Sequence, residues 1–143
     1  MPDLEDHLSH IPHAAAIGMT LVSRGKLSCV VRVPYAEHLV GDPDTGVIHG
    51  GVITALLDNA SGMAVRSEPD DGAEERSMAT LDLRIDYMRP AQPRQDLVAE
   101  AHCYRTTSNV AFVRAIAYHD DRNDPIASSV ATFMLGTKAA PRT

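Results

Sequence analysis

The spacing of apolar residues changes period once along this chain, and the change marks where its main elements lie. From Val52 to Val65 apolar residues fall on every side of a helix: Val52, Ile53, Ala55, Leu56, Leu57, Ala60, Met63, Ala64 and Val65. This predicts a helix from about Gly50 to Ser67, apolar all round, with Glu68-Pro69 and Asp70-Asp71-Gly72 stopping it. Beyond it the period becomes two. Ala79, Leu81, Leu83, Ile85 and Tyr87 alternate with Thr80, Asp82, Arg84 and Asp86, which predicts a strand. A turn at Met88 to Pro93 and further strands over 96–105, 110–119 and 126–135 follow, separated by Thr107-Ser108-Asn109 and by Asp120 to Pro125. Ahead of the helix, Val22, Leu27, Val30, Val31 and Val33 about Arg24-Gly25-Lys26 predict a hairpin over 20–34. An irregular loop over 35–48 is expected from Gly41-Asp42-Pro43-Asp44-Thr45-Gly46, and a short peripheral helix over 3–11 from its stop at Ile11-Pro12. The polar tail, 138–143, reads as peripheral too.

Short links between successive strands require a mainly antiparallel sheet, with four strands in meander-like succession after the helix. A flat sheet cannot cover a helix that is apolar on every side. The sheet must curl round it, or a second subunit must complete the cover. The expectation is a single α+β domain over 1–143 with a built-in reason to oligomerise.

Composition narrows the partners. The aromatic share is 4% with no Trp, so the core is aliphatic, and the net charge of −6 argues against a nucleic-acid partner. Cys29 and Cys103 form no CxxC pair and read as reduced thiols. The acidic start Met1-Pro2-Asp3-Leu4-Glu5-Asp6 lacks the features of a signal peptide, and Asp58 and Asn59 interrupt the longest apolar run. A cytoplasmic protein with no membrane partner is expected.

Those same interruptions carry the candidate chemistry. A carboxylate buried in an apolar helix is costly unless it is paired or does something, so Asp58 is the first residue to suspect. At the helix start, His49-Gly50-Gly51 offers unpaired backbone amides, the positive end of the helix dipole, and two glycines that leave the backbone open. Asp58 follows His49 by nine residues, roughly 13 Å at about 1.5 Å per residue. Both cannot touch one reacting carbonyl. A working site would need Gly50 of one subunit and Asp58 of the partner subunit.

Gly46-x-x-His49-Gly50-Gly51, the acid at Asp58 and the segment from Thr80 through Tyr87-Met88-Arg89-Pro90 resemble the hotdog-fold thioesterases. The resemblance is to the branch of the phenylacetate-pathway PaaI and Arthrobacter-type 4-hydroxybenzoyl-CoA thioesterases. It implies a curled antiparallel sheet around a central helix, a homodimer and commonly a homotetramer, and hydrolysis of acyl-CoA thioesters without metal or cofactor. CoA itself enters only as part of the substrate. By the same resemblance the Gly50 amide would donate to the thioester carbonyl and His49 would shape that site. Asp58 would activate water or attack the carbonyl, and Thr80 would assist it. Gly51, Asn59, Arg89 and Pro90 are candidate substrate-binding residues, with Arg89, then Arg84 and Arg94, as partners for the CoA phosphates. Strand parity, however, sets Thr80 opposite the face of Leu81 and Leu83. The chain also departs from the pattern at Pro43, where relatives often carry Asn.

Two rival readings stand beside this one. A hotdog hydratase or dehydratase would need a His working with the acid, and no second His lies close to Asp58 in sequence. A non-catalytic acyl-CoA-binding protein would differ only in lacking turnover. Other apparent motifs have plainer explanations. Pro12 interrupts His7, His10 and His13, which read as a solvated terminus, and His102 and Cys103 point to opposite faces of a strand. Asn59-Ala60-Ser61 is an accidental sequon in a buried helix, and Ala60-Ser61-Gly62 lacks the first glycine of a nucleophile elbow.

Overall fold

The helix and strands expected from the two periods form, with some differences in how they meet. The structure is a computed structural model that describes residues 4–67 and 76–138. The helix-stop residues 68–72 and the tail 139–143 lie outside the described residues. Two short helices, α1 (Leu4–His10) and α2 (Pro12–Ile17), lead into a hairpin of β1 (Thr20–Gly25) and β2 (Ser28–Val33). A single 3₁₀ turn at Glu37–Leu39 and a small hairpin of β3 (Val40–Asp42) and β4 (Val47–Ile48) lead to α3 (Gly50–Arg66). The strands β5 (Arg76–Tyr87), β6 (Leu97–Thr106), β7 (Val110–Tyr118) and β8 (Ala127–Lys138) complete the chain.

Pro12 starts a helix as well as ending one. It occupies the first turn of α2, where no amide hydrogen is needed, and Gly18 closes that helix in the left-handed conformation with its N–H shared between Ala14 O and Ala15 O. The first helix is less peripheral than expected, because Leu8 is 1% exposed and joins the core.

The main sheet is antiparallel throughout, in the order β1-β2-β6-β7-β8-β5. The strands β6, β7 and β8 form the expected meander, but β5 does not lead it. Since β6 already pairs with β2 and β7, β5 takes the free edge of β8. Alternate positions on three strands point inward, and many are small: Ala99 and Ala101 on β6, Ala111, Ala115 and Ala117 on β7, Ala127 and Ala131 on β8. Small side chains let α3 lie close to the sheet, where Leu56, Leu57 and Ala60 are fully buried against β6, β2 and β7. The Cys29 thiol of β2 donates to Ala60 O at 3.2 Å, and burial pushes its pKa up to about 12. No described helix is long and apolar enough to cross a membrane.

The helix is not buried all round within one chain. Gly51, Thr54, Ala55, Asp58, Asn59, Gly62, Val65 and Arg66 recur every three or four residues as an exposed or half-buried stripe. One sheet covers one face, so the second apolar face and Asp58 with it stay partly open.

Asp96, just before β6, ties the hairpin to the sheet. It pairs with Arg32 and accepts the Tyr35 N–H at 2.8 Å, and these contacts hold its pKa below the usual 3.8. A depressed folded pKa gives stability that is fully present above the unfolded value and lost as pH falls through the folded one. Asp96→Asn should therefore lower the melting temperature at neutral pH, by a free energy of about 1 kcal/mol or less at this partly exposed position. The gap between variant and wild type should close as melting curves are taken from about pH 5 down to about pH 2.

Candidate active site

The start of α3 is held from three sides. The His49 N–H donates to Leu39 O at 2.8 Å, and the His49 ring turns back as the helix cap, its Nδ1 accepting the Gly51 N–H at 2.8 Å. An accepting Nδ1 leaves the ring proton on Nε2. Gly51 must be a glycine here, since a Cβ would stand 2.8 Å from that Nδ1. The third support is Tyr87, at the end of β5. Its hydroxyl donates to Gly50 O at 3.1 Å and shares a 2.5 Å hydrogen bond with Thr54 Oγ1.

These contacts separate the two glycine amides that the sequence offers together. The Gly51 N–H belongs to the His49 cap, whereas the Gly50 N–H has no acceptor among the described residues. An exposed, unpaired N–H at the positive end of a helix of seventeen residues is suited to receive developing negative charge.

Gly41 controls where His49 sits. A Cβ at Gly41 would lie 2.7 Å from His49 Cα and 3.0 Å from its Cβ. Gly41→Ala should push His49 off its cap and loosen the first turn, destabilising the fold by about 1–3 kcal/mol. A lower melting temperature together with a several-fold loss of kcat is the expected result, and unchanged values of both would exclude this role.

Asp58 lies on the open stripe two turns further along. Thr80 Oγ1 donates to Asp58 Oδ1 at 3.0 Å, which leaves Oδ2 without a partner among the described residues. This contact corrects the parity expectation for Thr80. The pairing of β5 with β8 runs Thr80 with Phe133, Asp82 with Thr132 and Leu83 with Ala131, so the register shifts at Leu81. That bulge turns the strand over. Before it Met78 and Thr80 face the helix with Phe133; after it Leu83 and Ile85 do so with Ala131.

Asp58 and Thr80 open onto a cleft of about 160 Å³. Asn59 lines it with its Nδ2 bonded to Ala55 O at 2.8 Å, and Gly62, Met63, Met78 and Phe133 supply apolar surface. His7, expected to be solvated, also lines this cleft, as does Arg66. The docking of α1 through Leu8 brings His7 there, and a separation of some fifty residues hides that proximity in the sequence. His10 and His13 are exposed.

The remaining candidates lie elsewhere. Arg89 donates to Asp124 O at 2.8 Å and pairs with the Asp124 carboxylate at 3.3 Å, so its guanidinium is tied to the β7–β8 loop. Pro90 is exposed just beyond β5. Arg84 pairs with Asp86 at 3.4 Å and lines a groove of about 690 Å³ with Arg114 and Glu100 on the sheet face away from α3. Arg94 adopts φ 57° in the β5–β6 loop, near Gly46. Pro43 sits in the β3–β4 turn, where Asp42 accepts from Asp44 N at 3.0 Å and Thr45 Oγ1 at 2.9 Å. Tyr87, expected as an apolar position of β5 and as part of the segment that ends in Pro90, carries no site role in the sequence reading, yet its hydroxyl braces the helix start.

Residues 45–126, from just ahead of the His-Gly-Gly turn to the end of the β7–β8 loop, match the family model of the thioesterase superfamily. The chain is 32% identical over 137 residues to the medium/long-chain acyl-CoA thioesterase YigI of Escherichia coli K12, covering 89% of this chain and 87% of that one. A crystal structure of a Pseudomonas aeruginosa protein is 42% identical, with a TM-score of 0.79 over 92% of this chain and 95% of the other. The E. coli PaaI protein of the phenylacetic acid degradation operon shares the fold at a TM-score of 0.77 and 17% identity, over 91% of this chain and 88% of that one. The chain belongs to the thioesterase superfamily and is a hydrolytic enzyme of the hotdog fold.

Proposed function

We propose that this protein hydrolyses acyl-CoA thioesters in a site shared by two subunits. One observation carries the reading: the unpaired Gly50 N–H and the Thr80-held Asp58 belong to one continuous helix. With Gly50 and Asp58 eight residues apart, roughly 12 Å of helix separates the two groups. Two copies of α3 packed antiparallel, stripe against stripe, would bring Gly50 of each opposite Asp58 of the partner subunit. The same packing would cover the half-open second face of the helix, and β5, an edge strand with Leu81 51% exposed, lies beside it.

In this site the thioester oxygen accepts the Gly50 N–H, where the helix dipole stabilises the charge that builds as the carbonyl is attacked. Asp58 either takes a proton from the water that attacks the carbonyl, the C–S bond then breaking as the proton passes to the CoA sulfur, or attacks the carbonyl itself. Direct attack expels CoA and leaves an acyl–Asp58 anhydride that water cleaves. Thr80 fixes Oδ1 so that Oδ2 is the reacting oxygen. No metal or cofactor is needed for either route. The relative named as a medium/long-chain acyl-CoA thioesterase supports CoA as the thiol carrier. Exposed Tyr104, Val130 and Met134, set among Arg114 and Glu100 on the outer face of the sheet, support pairing of dimers into a tetramer.

The test is hydrolysis of a panel of acyl- and aroyl-CoAs, followed by thiol release, together with subunit mixing. Asp58→Asn and Gly50→Pro proteins, each inactive, are refolded together. Random pairing rebuilds one intact site in each mixed dimer and returns roughly a quarter of wild-type activity. A mixture no better than its parts, or a permanent monomer, defeats the shared site. The presence of His7 in the Asp58 cleft favours one second reading, a hydratase acting on 2-enoyl-CoA. Loss of the enoyl absorbance without release of thiol would identify it.

A further inference from the structure

The cleft at Asp58 extends beyond the reacting groups. It follows α3 past Gly62 and Met63 to Arg66 in the last turn, with Met78 and Phe133 also lining it. From Asp58 to Arg66 is about 12 Å of helix rise. Gly62 keeps the path clear, since a Cβ there would stand 3.7 Å from Met78 Cε and 3.8 Å from Phe133 Cε1. The passage thus runs from a carboxylate, with Asn59, Thr80 and His7 also on its lining, past Gly62, Met63, Met78 and Phe133 to a cation. Arg66 is half-buried and has no ion pair among the described residues, where four other arginines do. A cation in the last turn suits the helix dipole, but the dipole does not account for a cation lining this cleft.

A guanidinium at the end of an apolar passage matches an anion carried on a short aliphatic spacer. We propose that Arg66 anchors the far carboxylate of a short dicarboxylic acyl group whose thioester carbon lies at Asp58. The inference rests on the thioesterase reading and adds a substrate class to it. The same anionic chemistry is available from the phosphates of CoA, but Met63, Met78 and Phe133, which line the cleft between Asp58 and Arg66, suit a run of methylenes.

The experiment measures kcat/KM for succinyl-, glutaryl- and adipyl-CoA against butyryl-, pentanoyl- and hexanoyl-CoA, and for the pantetheine thioesters of the same acids. Wild type, Arg66→Met and Arg66→Lys are compared. Wild type should favour the acid-ended chain of matching length by about 10–100-fold, the range of a hydrogen bond to a charged partner. Arg66→Met should erase that preference while leaving the methyl-ended rates within about twofold, and Arg66→Lys, which keeps the charge without the planar fork, should retain part of it. No preference in wild type, or a preference that survives Arg66→Met, overturns the inference. So does a uniform loss on all CoA thioesters that disappears with pantetheine thioesters, since that places the anion on CoA. If no thioester of any kind is hydrolysed, the thioesterase reading itself fails and the inference fails with it.

Discussion

Asp58→Asn is expected to lower kcat by about 10²–10⁴-fold, the range over which a positioned proton acceptor contributes to catalysis. The substitution preserves shape, and the Thr80 hydroxyl can donate to the amide oxygen as it does to Oδ1. What it removes is the capacity to take a proton or to attack a carbonyl. Because Asp58 is half-buried on the open stripe and not sealed in the core, the melting temperature should change little. KM should also hold, since neither the Gly50 amide nor the apolar cleft is altered. Steady-state kinetics and thermal melts on the same preparation check both parts. An unimpaired Asn variant would remove Asp58 from the chemistry. Label in the Asp58 carboxylate after single turnover of wild type in ¹⁸O-water would identify direct attack, since only an acyl–Asp58 anhydride opened by water at the Asp58 carbonyl carries it there.

The second large effect is expected from Gly50→Pro. Gly50 is the first helical residue after the His49 cap, the position where proline is best tolerated because its missing N–H has no helical partner. His49 has φ −58° and ψ 134°, close to the polyproline geometry that suits a residue before proline. The nearest atom to a Cβ at Gly50 is Tyr87 Cε1 at 3.9 Å, an ordinary contact. The substitution therefore deletes one N–H with little disturbance of the fold. If that N–H receives the oxyanion, kcat should fall by about 10²–10³-fold, the usual effect of losing one such donor. Gly50→Ala keeps the amide and should stay within a few-fold of wild type. Equal losses in the alanine and proline variants would mean that bulk, and not the amide, is what matters.

The elements were legible where their period was strong. The helix start at Gly50 and the strands on either side of Thr107-Ser108-Asn109 follow from local pattern, and the structure forms them there. The slot taken by β5 could not be read locally, because it depends on competition for the edges of β6 and β8 between segments far apart in the chain. The burial of α3 was overstated for a related reason. Its all-round apolar pattern says that both faces should be covered, but not how many chains supply the cover. Within the site, His49, Gly50 and Asp58 stand out because their residue types are unusual at those points of a helix. Tyr87, His7 and Arg66 do not stand out. Each looks ordinary in its own segment and becomes notable only once β5, α1 and the end of α3 are folded together.

The bulge at Leu81 gives β5 two reading frames on one backbone. At Met78 and Thr80 the even-numbered residues meet the helix, and at Leu83 and Ile85 the odd-numbered ones do. One half of the strand serves the carboxylate and the other half serves packing and the Tyr87 brace. A shortened chain lacking Leu81 would pair regularly with β8, Thr80 with Phe133, Asp82 with Thr132 and Leu83 with Ala131, and would keep Thr80 and Leu83 on one face. With Leu81 present, an inward Thr80 and an inward Leu83 coexist only because the bulge takes up the extra residue, so the Thr80–Asp58 contact depends on where that residue is absorbed.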